Sequence, residues 1–184
     1  MKIAVVMPCP WMHFSPTQAT SSELTVHDIL VNLPPSDRAT VYAQEVRAPY
    51  TDLDIQFFPR QHKRDQRLLP QRIARALTAD NPDVIVVQQH LPTAVSLRRF
   101  LPHTPILLHR HNDYDPPHQN VIRRWVQARR FKAVNGIAFV SAHSRQKFLN
   151  DWQKYVTCPT SVVPNGMDLT IWAPVPAAQR RNEI

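Results

Sequence analysis

Short apolar, often β-branched runs alternate along this chain with segments in which apolar residues return every third or fourth position. The first pattern reads as buried strand and the second as amphipathic helix, and their alternation is the sequence form of a parallel α/β sheet. Strands are expected over residues 2–7, 38–43, 53–57, 83–88, 106–109, 136–140 and 160–163.

Between them, Thr20 followed three residues later by Glu23 predicts a capping box, after which Val26, Ile29, Leu30 and Leu33 fall on one helical face. Pro34 and Pro35 stop that helix. Leu69, Ile73, Ala76 and Leu77 repeat the spacing, and Pro92 can open a helix whose Ala94, Leu97 and Leu101 face inward. A longer helix is expected over residues 118–134, with Val121, Ile122, Trp125 and Val126 on one side. Ser141 is placed to cap a last helix running to about residue 151.

The expected fold is one Rossmann-like α/β domain, a mainly parallel sheet of about seven strands with helices on both faces and right-handed crossovers. It should span residues 1–173, and the Pro-rich residues 174–184 read as the start of an interdomain linker or a frayed tail.

Composition narrows the chemistry. Gly136 and Gly166 are the only two glycines, so neither a P-loop nor a G-x-G-x-x-G fingerprint can be built, because both need several positions without a Cβ close to phosphate. Cys9 and Cys158 form no C-x-x-C pair, which argues against a zinc knuckle or a disulfide framework. The formal charge of +8 favours an anionic partner. Pro8 and Pro10 cut the N-terminal apolar run short of a signal peptide, and no segment reads as transmembrane.

Ligands of open parallel sheets bind beyond the carboxyl ends of the strands. The densest cluster in such a place is the run His109, Arg110, His111, Asn112, Asp113, Tyr114 and Asp115. It reads in several ways. As a solvated loop, its histidines would merely cap strand and helix ends. As a metal site, H-x-H followed by acidic residues would supply imidazole and carboxylate ligands to a metal-dependent hydrolase. That second pattern resembles the H-x-H-x-D-H run of metallo-β-lactamase-fold hydrolases, but it needs a histidine where this chain has Tyr114.

A wider resemblance covers most of the chain. MKIAVVMPCP at the start, PDVIVVQQH at 82–90, PILLHRHND at 105–113, GIAFVSAHS at 136–144 and VVPNGMDLTIWAP at 162–174 resemble, in order and spacing, the N-terminal domain of glycosyltransferase family 4. The resemblance implies the first half of a GT-B fold and transfer of a sugar from a nucleotide donor to a hydroxyl acceptor, with retention of anomeric configuration. It implies His111 as the residue that contacts sugar at the cleft, with Asn112 and Asp113 shaping its site, and Ser141, His143, Asn165 and Gly166 at the cleft edge. The bland alternative for Asn165 and Gly166 is an ordinary turn with positive φ at the glycine.

The chain departs from the family after its first strand, where a G-G-x-E element is usual. Here Thr17, Gln18, Thr20, Ser21 and Ser22 offer hydroxyls and amides at a helix N-terminus that could approach a donor phosphate, or could simply start the helix. The family's donor half carries two glutamates separated by seven residues, a spacing that Glu23, Glu45 and Glu183 do not provide. The expectation is therefore an acceptor-binding half, without its donor domain, inactive alone, using no cofactor and no metal.

Lys63, Arg64, Arg67, Arg72 and Arg75 form one basic cluster, and Arg123, Arg124, Arg129, Arg130 and Lys132 another. Two such clusters suggest the anionic face of a membrane, a cytoplasmic and peripheral location, and a lipid-linked or polysaccharide acceptor. The rival from another class is a basic nucleic-acid-binding module, with Trp125 and Phe131 nearby; no helix-turn-helix, RNP or zinc-finger pattern accompanies it, so no nucleic-acid partner is expected. A scaffold role, or pairing with a separate donor-domain chain, is a third reading.

Overall fold

The structure, a computed structural model, describes residues 1–9, 11–59 and 68–166. In chain order its elements are β1 (Lys2–Val6), α1 (Ser21–Val31), β2 (Arg38–Gln44), β3 (Asp54–Phe58), α2 (Leu69–Asp80), β4 (Val84–Gln88) and α3 (Leu91–Phe100). There follow β5 (Ile106–Arg110), α4 (Val121–Arg130) with a 3-10 turn over Phe131–Ala133, β6 (Gly136–Phe139), α5 (Ala142–Trp152) and β7 (Thr160–Val162). All seven strands run parallel in the order β3-β2-β1-β4-β5-β6-β7. Each expected strand is present within a residue or two at its ends.

The chain winds outward from β1 to β3 and then returns to place β4 on the other side of β1, with Val5 beside both Val41 and Val86. Winding thus reverses between β1 and β4, where connecting segments diverge and leave a crevice at the strand ends.

Alternation along the strands divides the core. On one face Val6, Ile85, Val87, Leu108 and Phe139 pack under α2, α3 and α5, through residues such as Ile73, Leu97 and Trp152. On the other, Val5, Met7, Val41 and Ala43 pack under Val26 and Leu30 of α1. Both faces carry helices as expected, but unequally. Beside α1 an apolar trough of about 220 Å³ remains, lined by Ile29, Leu33, Val86, Leu107, Ala138 and Val163 among others.

The capping box of α1 forms as expected. Glu23, only 1% exposed, accepts from the Thr20 amide at 3.1 Å and also from the His13 amide at 3.0 Å. Its burial is tolerable because these donors replace water around the carboxylate. Without glycine, α2 ends on Asn81 in the left-handed conformation (φ 47°), whose short polar side chain tolerates it.

Three expectations change. The helix expected over 118–134 is shorter: Asn120 caps it, its Oδ1 accepting from the Ile122 and Arg123 amides at 3.0 and 3.1 Å, and the last turn tightens to 3-10 geometry. Val121, Ile122, Trp125 and Val126 do share one side of α4, yet all four are exposed. Gly166 does not take a positive φ; Asn81 and Gln89 are the left-handed residues among those described. The basic residues Lys63, Arg64 and Arg67, the residue Asp168 and the tail 174–184 lie outside the described residues.

Candidate functional site at the strand carboxyl ends

A pocket of about 330 Å³ opens where the winding reverses, within the size range of small-molecule sites. Cys9 beyond β1, Gln89 and His90 beyond β4, Arg110 and Asn112 at β5, and Thr20, Ser22 and Glu23 at the start of α1 line it. The parallel topology brings these segments together: each sits at the carboxyl end of its strand or at the amino end of the helix that follows.

Arg110 is the charged centre of this pocket. One terminal nitrogen donates to the carbonyl of Gln89 and the other to the carbonyl of Asp113 at 3.0 Å, while its Nε is sealed from solvent with no partner. The guanidinium also lies 5.0 Å from the ring centroid of Tyr114. Among the described residues no carboxylate comes within ion-pair distance of it. Burial accordingly pushes its pKa down. A largely desolvated cation held by two carbonyls and an aromatic face is costly to keep and is well suited to an incoming anion.

Gln89, which accepts from Arg110, has φ of 62° although it is not glycine. Its own amide donates to the His109 carbonyl at 2.8 Å, and its side chain reaches Ser22 at 3.5 Å. Left-handed backbone in a side-chain-bearing residue costs free energy, and here the bond network around Arg110 holds it.

His111 stands next to this pocket. Its Nε2 lies 3.0 Å from Gln88 Oε1, and because a carbonyl oxygen can only accept, Nε2 carries the proton. Nδ1 is then an acceptor, and it is buried with no partner. Burial, with a smaller push from His109 and Arg110, lowers the His111 pKa to about 3, so the ring is neutral at physiological pH. A hydroxyl reaches a ring nitrogen only if the ring turns or the Gln88 amide gives way. His109, 4.3 Å away between ring centroids, is itself buried and lowered to about 4 by desolvation, and it faces the apolar trough.

The crowding of ionisable groups in residues 109–115 has a structural account for its second half. Tyr114 packs against Phe131, Phe148 and Trp152 at centroid distances of 5.4 to 5.7 Å. The Trp152 indole donates to the Asp115 carbonyl at 2.9 Å, and the Asp113 carboxylate pairs with Lys147 of α5 at 2.6 Å. The hydrogen bond from Lys147 lowers the Asp113 pKa. These contacts fix the loop and turn Asp113 away from the pocket. Among the described residues no three His, Cys, Asp or Glu side chains gather as a set of metal ligands.

The other candidates are dispersed. Asn112 lines the pocket with Thr20 and Ser22. Ser21 gives its carbonyl to the Thr25 hydroxyl, Thr17 bonds Ser15, and Gln18 borders a wider depression of about 710 Å³ with His13, Glu45 and Arg47. Ser141 caps α5, accepting from the Ser144 amide at 3.0 Å, and His143 is exposed on that helix. Asn165 and Gly166 are exposed beyond β7. Arg72 and Arg75 lie on the exposed side of α2, and on α4 Arg123 and Arg130 are exposed while Arg124 is half-buried.

Sequence reasoning named the run that contains Arg110 but did not single that residue out, and it quoted Gln88, Gln89 and His90 within the 82–90 stretch without naming them as site residues. The signal for Arg110 was an arginine directly after His109 at the end of the apolar run Ile106 to Leu108. For Gln88 to His90 it was three polar residues closing the run after Val87.

Comparison with known proteins follows the same lines. The profile described as Glycosyltransferase Family 4 matches residues 25–171. No curated protein matches the sequence. Among solved structures, the chain superposes with a TM-score of 0.54 on a UGT transferase from Siraitia grosvenorii in complex with UDP, at 12% identity over 89% of this chain and 48% of that one. It superposes with 0.53 on α,α-trehalose 6-phosphate synthase from Burkholderia multivorans, at 15% identity over 89% and 47%. For UDP-N-acetylglucosamine 2-epimerase from Rickettsia bellii the values are 0.52, 9%, 87% and 43%. The chain thus spans less than half the length of these proteins, and the shared feature is the fold: one Rossmann-like half of the GT-B architecture.

Proposed function

We propose that this chain, which belongs to glycosyltransferase family 4, is the acceptor-binding half of an enzyme that transfers a sugar from a nucleotide donor to a hydroxyl of a lipid-linked or polysaccharide acceptor. A second Rossmann-like half would hold the donor across the pocket between β1 and β4. The chain by itself is then expected to bind without turning over.

The observation that carries this reading is Arg110, a desolvated guanidinium that no carboxylate among the described residues pairs with, at the point where the winding reverses. The positive charge of Arg110 at the pocket wall and the amino end of α1 at Ser22 suit a phosphate of the bound nucleotide, the group that gains negative charge as the sugar departs; the sealed Nε can donate to it only after the side chain shifts. His111, neutral and with Nδ1 able to accept, suits a sugar hydroxyl: once the ring turns from Gln88, that nitrogen can orient a hydroxyl toward the anomeric carbon. With a pKa near 3 the imidazole is a weak base, so positioning is the role proposed for it, and the departing phosphate takes the hydroxyl proton in a transfer that retains configuration.

The test is heteronuclear NMR of the labelled chain titrated with UDP-glucose and, separately, with inorganic pyrophosphate. Shifts centred on Gln89, Arg110, His111 and Asn112, and lost in Arg110→Met, are expected from the sugar nucleotide. Undisturbed resonances at those positions in both titrations, with the chain folded, would sink the assignment of this pocket.

A further inference from the structure

Helix α4 presents an outward face that the described residues leave uncovered. Val121, Ile122, Trp125 and Val126 are 66%, 72%, 56% and 42% exposed, and at 100° per residue they occupy one arc of the helix. No residue of α4 is fully buried; the helix is held to the domain through Ala128 and its continuation into Phe131. Single exposed aliphatic residues are ordinary, but four neighbours on one ten-residue helix make a patch.

The charge carried by α4 and its immediate flanks has one sign. Between Pro116 and Val134 the sequence holds Arg123, Arg124, Arg129, Arg130 and Lys132 and no acidic residue. The Arg129 guanidinium stands 4.5 Å from the centroid of the Trp125 ring, so a cation and an indole project together from the apolar arc. Arg123 and Arg130, both exposed, flank it.

This combination selects among occupants. A second copy packed isologously would set the arginines of α4 against themselves, and like charges oppose that. A nucleic acid would meet the arginines but would leave the four apolar side chains without a role. An anionic bilayer answers both, because apolar side chains enter the headgroup–acyl boundary while guanidinium groups meet lipid phosphates and an indole sits at the interface.

We propose that α4 is a lipid-docking helix that lies in the plane of an anionic membrane, with Val121, Ile122, Trp125 and Val126 in the boundary and Arg123, Arg129 and Arg130 at the phosphates. The docking does not depend on the transferase reading. Only its consequence does: residues 111–120 join the carboxyl end of β5, where Arg110 lines the proposed pocket, to the start of α4, so a docked α4 would tether that pocket near the membrane, where a lipid-borne acceptor would be presented.

The test is co-sedimentation of the chain with vesicles of phosphatidylcholine alone and of equal parts phosphatidylcholine and phosphatidylglycerol, with tryptophan emission read in parallel. Binding to the anionic vesicles only, with a blue shift that disappears in Trp125→Phe, is the expected result. Arg129→Glu with Arg130→Glu should weaken binding roughly tenfold or more at low salt. Ile122→Ser with Val126→Ser should weaken what binding persists at high salt, where charge is screened. All these positions are exposed, and circular dichroism checks that each variant folds. Absence of binding to anionic vesicles overturns the proposal, as does binding that neither double variant reduces. So does a dimer in sedimentation that Ile122→Ser dissolves, or an oligonucleotide that shifts Trp125 emission when vesicles do not. The nucleotide titration reads Arg110 to Asn112 instead of α4, so either proposal can fail without the other.

Discussion

The Nε2–H of His111 donates to the side-chain carbonyl of Gln88 at 3.0 Å, tying the loop after β5 to the last residue of β4. That single bond sets the tautomer of the imidazole and leaves its other nitrogen buried and unpaired. Burial keeps this histidine neutral, with smaller contributions from His109 and Arg110, beside which a protonated ring would add a second positive charge.

Stability should therefore fall on mild acidification. His111 and His109 have folded pKa values of about 3 and about 4 against an ordinary 6.5, so below pH 6.5 the unfolded chain binds protons that the folded chain refuses. The loss begins as pH drops through 6.5 and continues to the folded values, at up to about 1.4 kcal/mol per pH unit for each group. Urea denaturation at pH 7, 6 and 5 measures it. A slope unchanged in His111→Gln and in His109→Gln would contradict the assignment.

Replacing Arg110 should separate stability from binding. Arg110→Met removes a costly desolvated cation and retains much of its volume, so the unfolding free energy should change by no more than about 1 kcal/mol. Affinity for a bound phosphate should drop at least about tenfold, the loss of a charge-assisted hydrogen bond. Chemical denaturation and calorimetric titration with UDP-glucose give the two numbers.

Trp152 is fully buried, and its indole donates to the Asp115 carbonyl at 2.9 Å. Trp152→Phe keeps most of the packing but loses that bond, at a cost of about 1 kcal/mol from the bond itself. It should also loosen residues 111–115. Hydrogen exchange of the Asn112 to Asp115 amides, faster in the variant than exchange in β4, is the specific readout. Trp152→Ala should cost about 3–5 kcal/mol.

Cys9 lines the pocket yet should be inert. Burial pushes its thiol up to about 12, with Arg110 only partly opposing, so almost no thiolate exists at pH 8. Iodoacetamide should leave Cys9 unmodified in the folded chain and label it in urea. Rapid labelling of the native protein, read by mass spectrometry of the Cys9 peptide, would show that the thiol is not buried as described.

Much of the fold was legible before any coordinates. Short apolar, β-branched runs placed the strands and the three-to-four period placed most of the helices, the Thr20–Glu23 spacing located the start of α1, and Ser141 located that of α5. These are local signals, produced by backbone geometry and capping chemistry that act within a few residues. The run ending β5 was legible as a candidate site for a related reason: charged residues directly after an apolar strand stand at the sheet's ligand-binding edge.

What the sequence alone could not decide was where side chains from distant segments meet. Arg110 matters because Gln89 turns into a left-handed conformation to accept from it and no carboxylate of the described residues comes within ion-pair distance, and neither fact is written near residue 110. Asp113 reads like a partner of His111, but Lys147, thirty-four positions away, holds it outside the pocket. The stripe on α4 has the period of a core face, yet periodicity only says that apolar residues share a side. Whether that side meets protein or solvent is set by how the sheet packs the whole helix, and on α4 tertiary packing leaves it facing out.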